Sequence, residues 1–345
     1  MKEIKIADFI ISDSSPCFII AELSANHNGS LERALATIKQ AKRAGANAIK
    51  LQTYTADTIT LDVRTDDFKV KQGTIWDGKY LYDLYKEAYT PWEWHEELFD
   101  AARKEGLVCF SSPFDKTAVD FLEKLETPAY KIASFEITDI PLIEYVASKA
   151  KPVIISTGIA EEEDIRLALE ACKRMGNDQI ILLKCTSSYP APLEEANLVM
   201  VKDLADRYKV FTGLSDHTMG SIAPVVARVF GAKVLEKHFT IDRAEGGPDS
   251  SFSMNPDEFN LMVNAVRDAE KSIGIIDYNL TEGQLKGKQF SRSLYAVTDI
   301  NIGDEITELN VRSVRPGFGM HPKHYKEVLG KKSVKKYKKG DRFSG

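Results

Sequence analysis

Cysteine is scarce in this chain, with four residues in 345, and Cys17, Cys109, Cys172 and Cys185 stand far apart, three of them inside apolar strand-like runs. That distribution excludes a small disulfide scaffold and fits thiols kept reduced in the cytoplasm. Long apolar runs are missing too. No stretch reaches transmembrane length, and the N-terminal segment MKEIKIADFIISDSSPCFII is broken by charge, without the apolar core or small-residue cleavage site of a signal peptide. No membrane association is expected. Nor is there an excess of positive charge: the formal net charge of -5 argues against nucleic acid as a partner. The one basic run, Lys331, Lys332, Lys335, Lys336, Lys338 and Lys339, is interrupted by Val334 and Tyr337 and reads as a solvated face.

What remains is an ordinary globular composition, 43% hydrophobic, 28% charged and 9% aromatic. The length exceeds that at which one core usually stops growing, so a large domain followed by a small one is expected.

Short β-branched runs alternate with amphipathic segments up to about residue 273, the rhythm of repeated β-α units around a parallel sheet. Strands are read at 18–22, 48–52, 108–111, 129–132, 153–156, 180–184, 210–214 and 233–238. Eight strands are what a (β/α)8 TIM barrel requires. Helices are read at 30–44, 91–106, 117–126, 141–149, 161–175, 198–208, 221–230 and 256–273. Ser30 is placed as an N-cap, Pro91 at a first helical position, and Gly45, Gly106 and Gly176 where helices stop. The stretch 54–89 is too long and polar for a β-α loop and is expected to be a lid or partner contact. From these patterns the barrel domain is set at 1–273, a linker at 274–287, and a small, mainly β domain at 288–345.

Catalytic groups of such a barrel project from the carboxyl ends of its strands. Here those ends carry Glu22, Lys50 with Gln52, Ser111 with Ser112, Lys131 with Ser134 and Glu136, Ser156, Lys184 with Thr186, Ser215 with His217, and Glu236 with His238. Any one of these could be a satisfied polar group at the rim, but so many on one mouth require a ligand. Lysines interleaved with hydroxyls describe a site for phosphate or carboxylate. His217 and His238 end consecutive strands, a placement that suits either structural histidines or a divalent metal with Glu22 or water completing the shell. Glu136, beside Phe135, is a candidate for proton transfer, since apolar neighbours raise a carboxyl pKa; a carboxylate at a helix N-terminus is the plainer alternative.

These residues fall in segments that together resemble the N-acetylneuraminate (sialic acid) synthase family: AELSANHNGS at 21–30, IKLQTY at 49–54, YKIASFE at 130–136, STG at 156–158, GLSDHT at 213–218 and EKHFT at 236–240. The segment RSVRPGFG at 312–319 resembles the antifreeze-like (SAF) domain that members carry. The resemblance spans essentially the whole chain. It implies a phosphoenolpyruvate-dependent condensation with an amino-sugar aldehyde, assisted by a divalent metal ion (Mn2+, Mg2+ or Co2+). It also implies His217 and His238 as metal ligands, and Lys50, Ser112, Lys131, Ser134, Ser156 and Ser215 as the phosphoenolpyruvate pocket. Glu136 would handle protons, while Glu22, Gln52, Ser187, Tyr189, Asp249 and Arg315 would serve the sugar side. A homodimer is implied in which the SAF domain of one subunit covers the barrel of the other.

Within the family, WDGKYLYDLYKEAYTPWEW at 76–94, LKCTSSYP at 183–190 and RPGFGMHP at 315–322 are most similar to the pseudaminic acid synthase branch. Synthases that use N-acetylmannosamine typically have asparagine where Ser187 stands and RPGNG where this chain has RPGFG at 315–319, with Phe318 in place of the asparagine. Loss of an amide and gain of an aromatic face favour a deoxygenated sugar such as 2,4-diacetamido-2,4,6-trideoxy-L-altrose. Neuraminate or legionaminate synthesis is the alternative within the family. From other classes, a Schiff-base aldolase would use Lys50, Lys131 or Lys184 as nucleophile, and a non-catalytic glycan- or ice-binding protein would keep the barrel as a scaffold only.

Overall fold

The computed structural model describes residues 3–71 and 73–345, so residues 1, 2 and 72 of the expected barrel domain lie outside the described residues. The chain divides into two compact units, Met1–Gly274 and Ile275–Gly345.

The first unit opens with an antiparallel pair, β1 (Ile4–Ile6) and β2 (Phe9–Ile11). A closed parallel barrel follows: β3 (Phe18–Glu22), β4 (Ala48–Thr53), β5 (Val108–Pro113), β6 (Tyr130–Ile132), β7 (Val153–Ser156), β8 (Ile180–Cys185), β9 (Phe211–Asp216) and β10 (Val234–His238), with β10 closing onto β3. The helices α1 (Leu31–Arg43), α2 (Ala56–Ile59), α3 (Leu81–Ala88), α4 (His95–Lys104), α5 (Lys116–Lys124), α6 (Ile140–Ala147), α7 (Glu162–Arg174), α8 (Met200–Tyr208), α9 (Ile222–Val229) and α10 (Pro256–Ile273) supply the crossovers and the final turn around the barrel. The eight barrel strands lie within two residues of their expected bounds.

Strand parity sorts the side chains into two cores. Phe18, Ile20, Ala48, Phe110, Ile154, Ile181, Leu183, Phe211 and Val234 fill the barrel interior, where Ile4, Ile6 and Ile11 of the N-terminal hairpin join them. Their neighbours in sequence, such as Ile19, Ile49, Cys109, Ile155, Leu182 and Leu235, face the helices. The hairpin therefore packs at the start of the barrel strands and leaves the carboxyl end for chemistry. Its strands are three residues each, too short for a period-two pattern to stand out.

Local signals explain most element ends. Ser30 accepts from the Arg33 amide at the start of α1, a cap worth about 1 kcal/mol. Gly45, Gly106 and Gly176 take φ of 96°, 68° and 74° just past the ends of α1, α4 and α7, a region open to glycine at little cost. Pro91 differs from expectation: its ψ of 132° makes it the cap of a single 3-10 turn, Trp92–Trp94, and α4 begins only at His95. The insertion 54–89 is not an open loop, for it contains α2, α3 and a bridge between Lys69 and Tyr80.

In the second unit, β11 (Ser293–Ala296) and β12 (Val311–Val314) pair antiparallel over a core of Leu294, Ile300, Ile306, Val311, Tyr337 and Phe343. The expected linker 274–287 holds most of α11 (Glu282–Lys288), which Thr281 and Gln284 start with a capping box. A short α12 (Tyr325–Val328) completes the unit. Tyr337 is buried, while the six lysines of the 331–339 run are all exposed. Among the described residues no helix is long and apolar enough to cross a membrane.

Candidate active site

The register of the barrel determines which polar residues meet. Glu22 pairs in register with Lys50 on one side and His238 on the other, and Glu236 pairs with Ser215. Gln52 lies level with Ser112. All share the interior parity of Phe18 and Phe110, so their side chains rise in layers above the apolar plug.

At the centre, the Lys50 ammonium contacts the Glu22 carboxylate, donates to Ser112 Oγ at 3.2 Å and stands 3.6 Å from Glu236 Oε1. Lys131 Nζ lies 3.9 Å from the same Glu236 oxygen and donates to the Ile132 carbonyl at 3.0 Å. Ser215 donates to Glu236 at 3.3 Å. Burial opposes charge on all four ionisable groups, and their mutual attraction resists it. Burial raises the Glu22 carboxyl to about 7 despite Lys50. Glu236 is also desolvated, but Lys131, Lys50 and His217 outweigh this and keep its pKa low. Lys50 is held charged above its usual range by Glu22 and Glu236 against burial, whereas burial lowers Lys131.

The metal-ligand candidates lie to one side. His217 and His238 have ring centroids 5.2 Å apart, and Phe252 meets His238 edge-on at 4.9 Å. His217 Nδ1 is 3.0 Å from the Thr186 carbonyl, which places its proton there and leaves Nε2 with a lone pair. His238 Nδ1 is buried without a hydrogen-bond partner, and desolvation lowers the pKa of this imidazole and keeps it neutral. Two imidazoles at the ends of neighbouring strands, one of them with an orphaned nitrogen, fit a divalent ion. Glu22 does not complete the shell, because it is engaged by Lys50 and Gln52, and among the described residues no group of three His, Cys, Asp or Glu is placed to hold a metal. Any remaining ligands would be oxygens of water or substrate.

Glu136 follows β6 in the 3-10 turn Ser134–Glu136. Its carboxyl is raised to about 7 by burial, with Lys131 opposing. Phe135 is not the cause, being 57% exposed. Ser134 accepts from Ser187 at 2.8 Å, and a Cβ at Gly158 would collide with both of these hydroxyls. The buried atoms Glu136 Oε2, Ser156 Oγ, Glu236 Oε2 and His238 Nδ1 all lack hydrogen-bond partners. Four such atoms on one barrel mouth call for a polar ligand, since a buried unsatisfied group costs about 1–3 kcal/mol.

On the far side Gln52 donates to Glu22 Oε1 at 3.0 Å and to Ser24 Oγ at 2.9 Å, and the Ser24 hydroxyl bonds Asp249. Tyr189 tilts over His217 with centroids 4.5 Å apart. Trp76, from the 54–89 insertion, packs 5.4 Å from Tyr189 and donates its indole proton to the Pro248 carbonyl at 3.1 Å.

Two strand residues do not belong to this mouth. Ser111 bonds Thr53, which in turn bonds His95 of α4, and Lys184 donates to the Cys185 carbonyl and to Thr186. Both have helix-facing parity, so Lys184 is removed from the candidate nucleophiles. Arg315 and Phe318 lie in the second unit, where Arg342 stands over the Phe318 ring at 4.9 Å. Sequence reasoning missed Ser24, Trp76, Cys185 and Phe252. Cys185 lies 3.9 Å from His217 Nδ1 and could have been found from its place at the end of a barrel strand.

Comparison with known proteins gives the family. The chain is 51% identical over 324 residues, 94% of each chain, to the pseudaminic acid synthase of Campylobacter jejuni subsp. jejuni serotype O:2. It is 46% identical over 321 residues, 93% of this chain and 94% of that protein, to the pseudaminic acid synthase of Helicobacter pylori. Among solved structures, the N-acetylneuraminic acid (sialic acid) synthetase of Leptospira borgpetersenii serovar Hardjo-bovis in complex with citrate superposes with a TM-score of 0.74 at 31% identity, covering 83% of this chain and 95% of that one. The SAF domain profile matches residues 291–342 and the NeuB family profile residues 37–278, so the chain belongs to the NeuB family and carries a SAF domain after its barrel.

Proposed function

We propose that this protein is a pseudaminic acid synthase, condensing phosphoenolpyruvate with 2,4-diacetamido-2,4,6-trideoxy-L-altrose and water to give pseudaminic acid and phosphate. The observation that carries the chemistry is the joining of a two-lysine anion pocket to adjacent His217 and His238 on one barrel mouth. The near-full-length likeness to the C. jejuni synthase selects the sugar over neuraminate or legionaminate precursors.

In this reading C3 of phosphoenolpyruvate attacks the open-chain aldehyde carbon, positive charge develops at C2, water adds there, and phosphate leaves with cleavage of its C–O bond. Lys50 and Lys131 pair with the phosphate and carboxylate, with hydroxyls of Ser112, Ser134, Ser156 and Ser215 donating to the remaining oxygens. The Glu22 and Glu236 carboxylates that now face the lysines lend negative charge near the developing cation at C2. Glu136, raised to about 7, takes the proton of the adding water. Gln52, Ser187, Tyr189 and Asp249 orient the sugar so that aldehyde and enol carbon meet. His217 and His238 would hold the divalent ion, which when bound polarises the aldehyde oxygen.

The proposal includes a cytoplasmic homodimer in which the SAF domain of one subunit covers the barrel of its partner and brings Arg315 to the sugar. The direct test is to incubate the enzyme with phosphoenolpyruvate and the altrose derivative: phosphate and a nine-carbon acid should appear in equal amounts. Phosphate without the acid, or neither, would sink the reading.

A further inference from the structure

Ser24 sits just past β3 with φ of +48°, a left-handed conformation that side chains other than glycine seldom adopt. It is 1% exposed. Its hydroxyl donates to Asp249 Oδ2 and accepts from Gln52 Nε2 at 2.9 Å, so one oxygen links the end of β4 to the segment after β10. A hydroxyl has a single proton, and here a side chain takes it, so Ser24 acts through its neighbours.

The backbone of the Asp249 segment does not depend on this link. Asn26 donates to the Phe239 carbonyl at 3.0 Å and to Ser253 Oγ at 2.9 Å, and Asn28 donates to the Gly246 carbonyl at 2.9 Å. Ser253 in turn donates to the Asp249 carbonyl at 2.7 Å. Ser24 helps to determine where the Asp249 carboxylate and the Gln52 amide point, together with the Ala25 amide 3.4 Å from Asp249 Oδ2 and Glu22 Oε1 3.0 Å from the Gln52 amide. Glycine would suit the backbone better and would lose that control. A strained residue at a functional site is expected when the surrounding structure needs its side chain.

We propose that Ser24 is a positioning residue whose hydroxyl fixes Gln52 and Asp249 to receive the amino sugar, a role that rests on the reading of those two residues as sugar contacts. The full-length enzyme loaded with divalent metal is the sample, and Ser24→Gly, Ser24→Ala, Asp249→Asn and the double variant Ser24→Gly/Asp249→Asn are compared. Ser24→Gly should leave the melting temperature unchanged or higher and KM for phosphoenolpyruvate within about twofold, while raising KM for the sugar about tenfold, the loss of one hydrogen bond to a charged group. Ser24→Ala should repeat the kinetic effect, and the double variant should raise the sugar KM by less than the product of the two single effects.

If Asp249→Asn raises the sugar KM and Ser24→Gly does not, the positioning role is wrong. A fall in melting temperature with both KM values raised in Ser24→Gly would make Ser24 structural and overturn it equally. An Asp249→Asn enzyme with normal sugar kinetics would instead overturn the reading of the sugar contacts, and the Ser24 proposal with it.

Discussion

Lys50 and Glu22 form a buried ion pair across adjacent barrel strands, with the Glu22 carboxyl raised to about 7 even in contact with the ammonium. The pair is poised for exchange, because a phosphate entering beside Lys50 can replace a carboxylate that burial already disfavours. Lys50→Met should raise KM for phosphoenolpyruvate on the order of a hundredfold. It also leaves Glu22 without its ammonium partner and Glu236 with Lys131 alone, so the melting temperature should fall in neutral buffer and recover as pH is lowered and Glu22 protonates. A variant with unchanged KM would remove Lys50 from the anion pocket.

Glu136 titrates near 7 because it is desolvated, so the proton-accepting form accumulates as pH rises through neutrality. The kcat of the native enzyme should climb over that interval. Glu136→Gln should lower kcat about 10²- to 10⁴-fold, lose that limb of the profile, and leave phosphoenolpyruvate affinity intact. A Gln variant that keeps both rate and profile would give the proton transfer to another group.

Two buried histidines outside the mouth should weaken the fold in acid. His27 and His95 are buried, His27 near Thr90 at 3.3 Å and His95 bonded to Thr53 at 2.8 Å, and burial lowers both to about 4. Between their unfolded value of about 6.5 and about 4 the unfolded chain binds the extra protons, so stability is lost as pH falls through that window. Each contributes on the order of 2 kcal/mol by pH 5. Melting curves of the native chain and of His95→Asn from pH 8 to 4.5 measure this, the variant losing less on acidification. Equal losses would exclude His95 as a source.

Trp76 ties the insertion to Tyr189 and to the Pro248 carbonyl. Trp76→Ala should raise the sugar KM several-fold, the scale of one aromatic contact and one hydrogen bond, with little change for phosphoenolpyruvate. Equal effects on both substrates would indicate general loosening of the mouth.

The barrel was legible because eight apolar runs were separated by helices with clear starts and stops, as at Ser30 and Gly45. Side-chain direction was harder to read. Barrel strands are buried on both faces and do not alternate polar with apolar, so Ser111 and Ser112 looked alike until register placed one toward α4 and the other beside Lys50. Lys184 was misplaced for the same reason. Trp76 and Ser24 could not be found locally, since the partner of one lies 172 residues away and that of the other 225. His217 and His238 were visible as a pair because they end neighbouring strands. Glu22 is taken by Lys50 rather than free for a metal because the register of β3 and β4 sets the two side by side, which no local pattern reveals.

The most direct measurement compares kcat/KM, by phosphate release and product mass, for 2,4-diacetamido-2,4,6-trideoxy-L-altrose, N-acetylmannosamine and the legionaminic precursor, each with phosphoenolpyruvate, with and without chelator. Turnover confined to the altrose and abolished by chelator is the predicted result. Turnover of N-acetylmannosamine as fast as the altrose would contradict the assigned sugar, and turnover that persists under chelation would contradict the role given to His217 and His238.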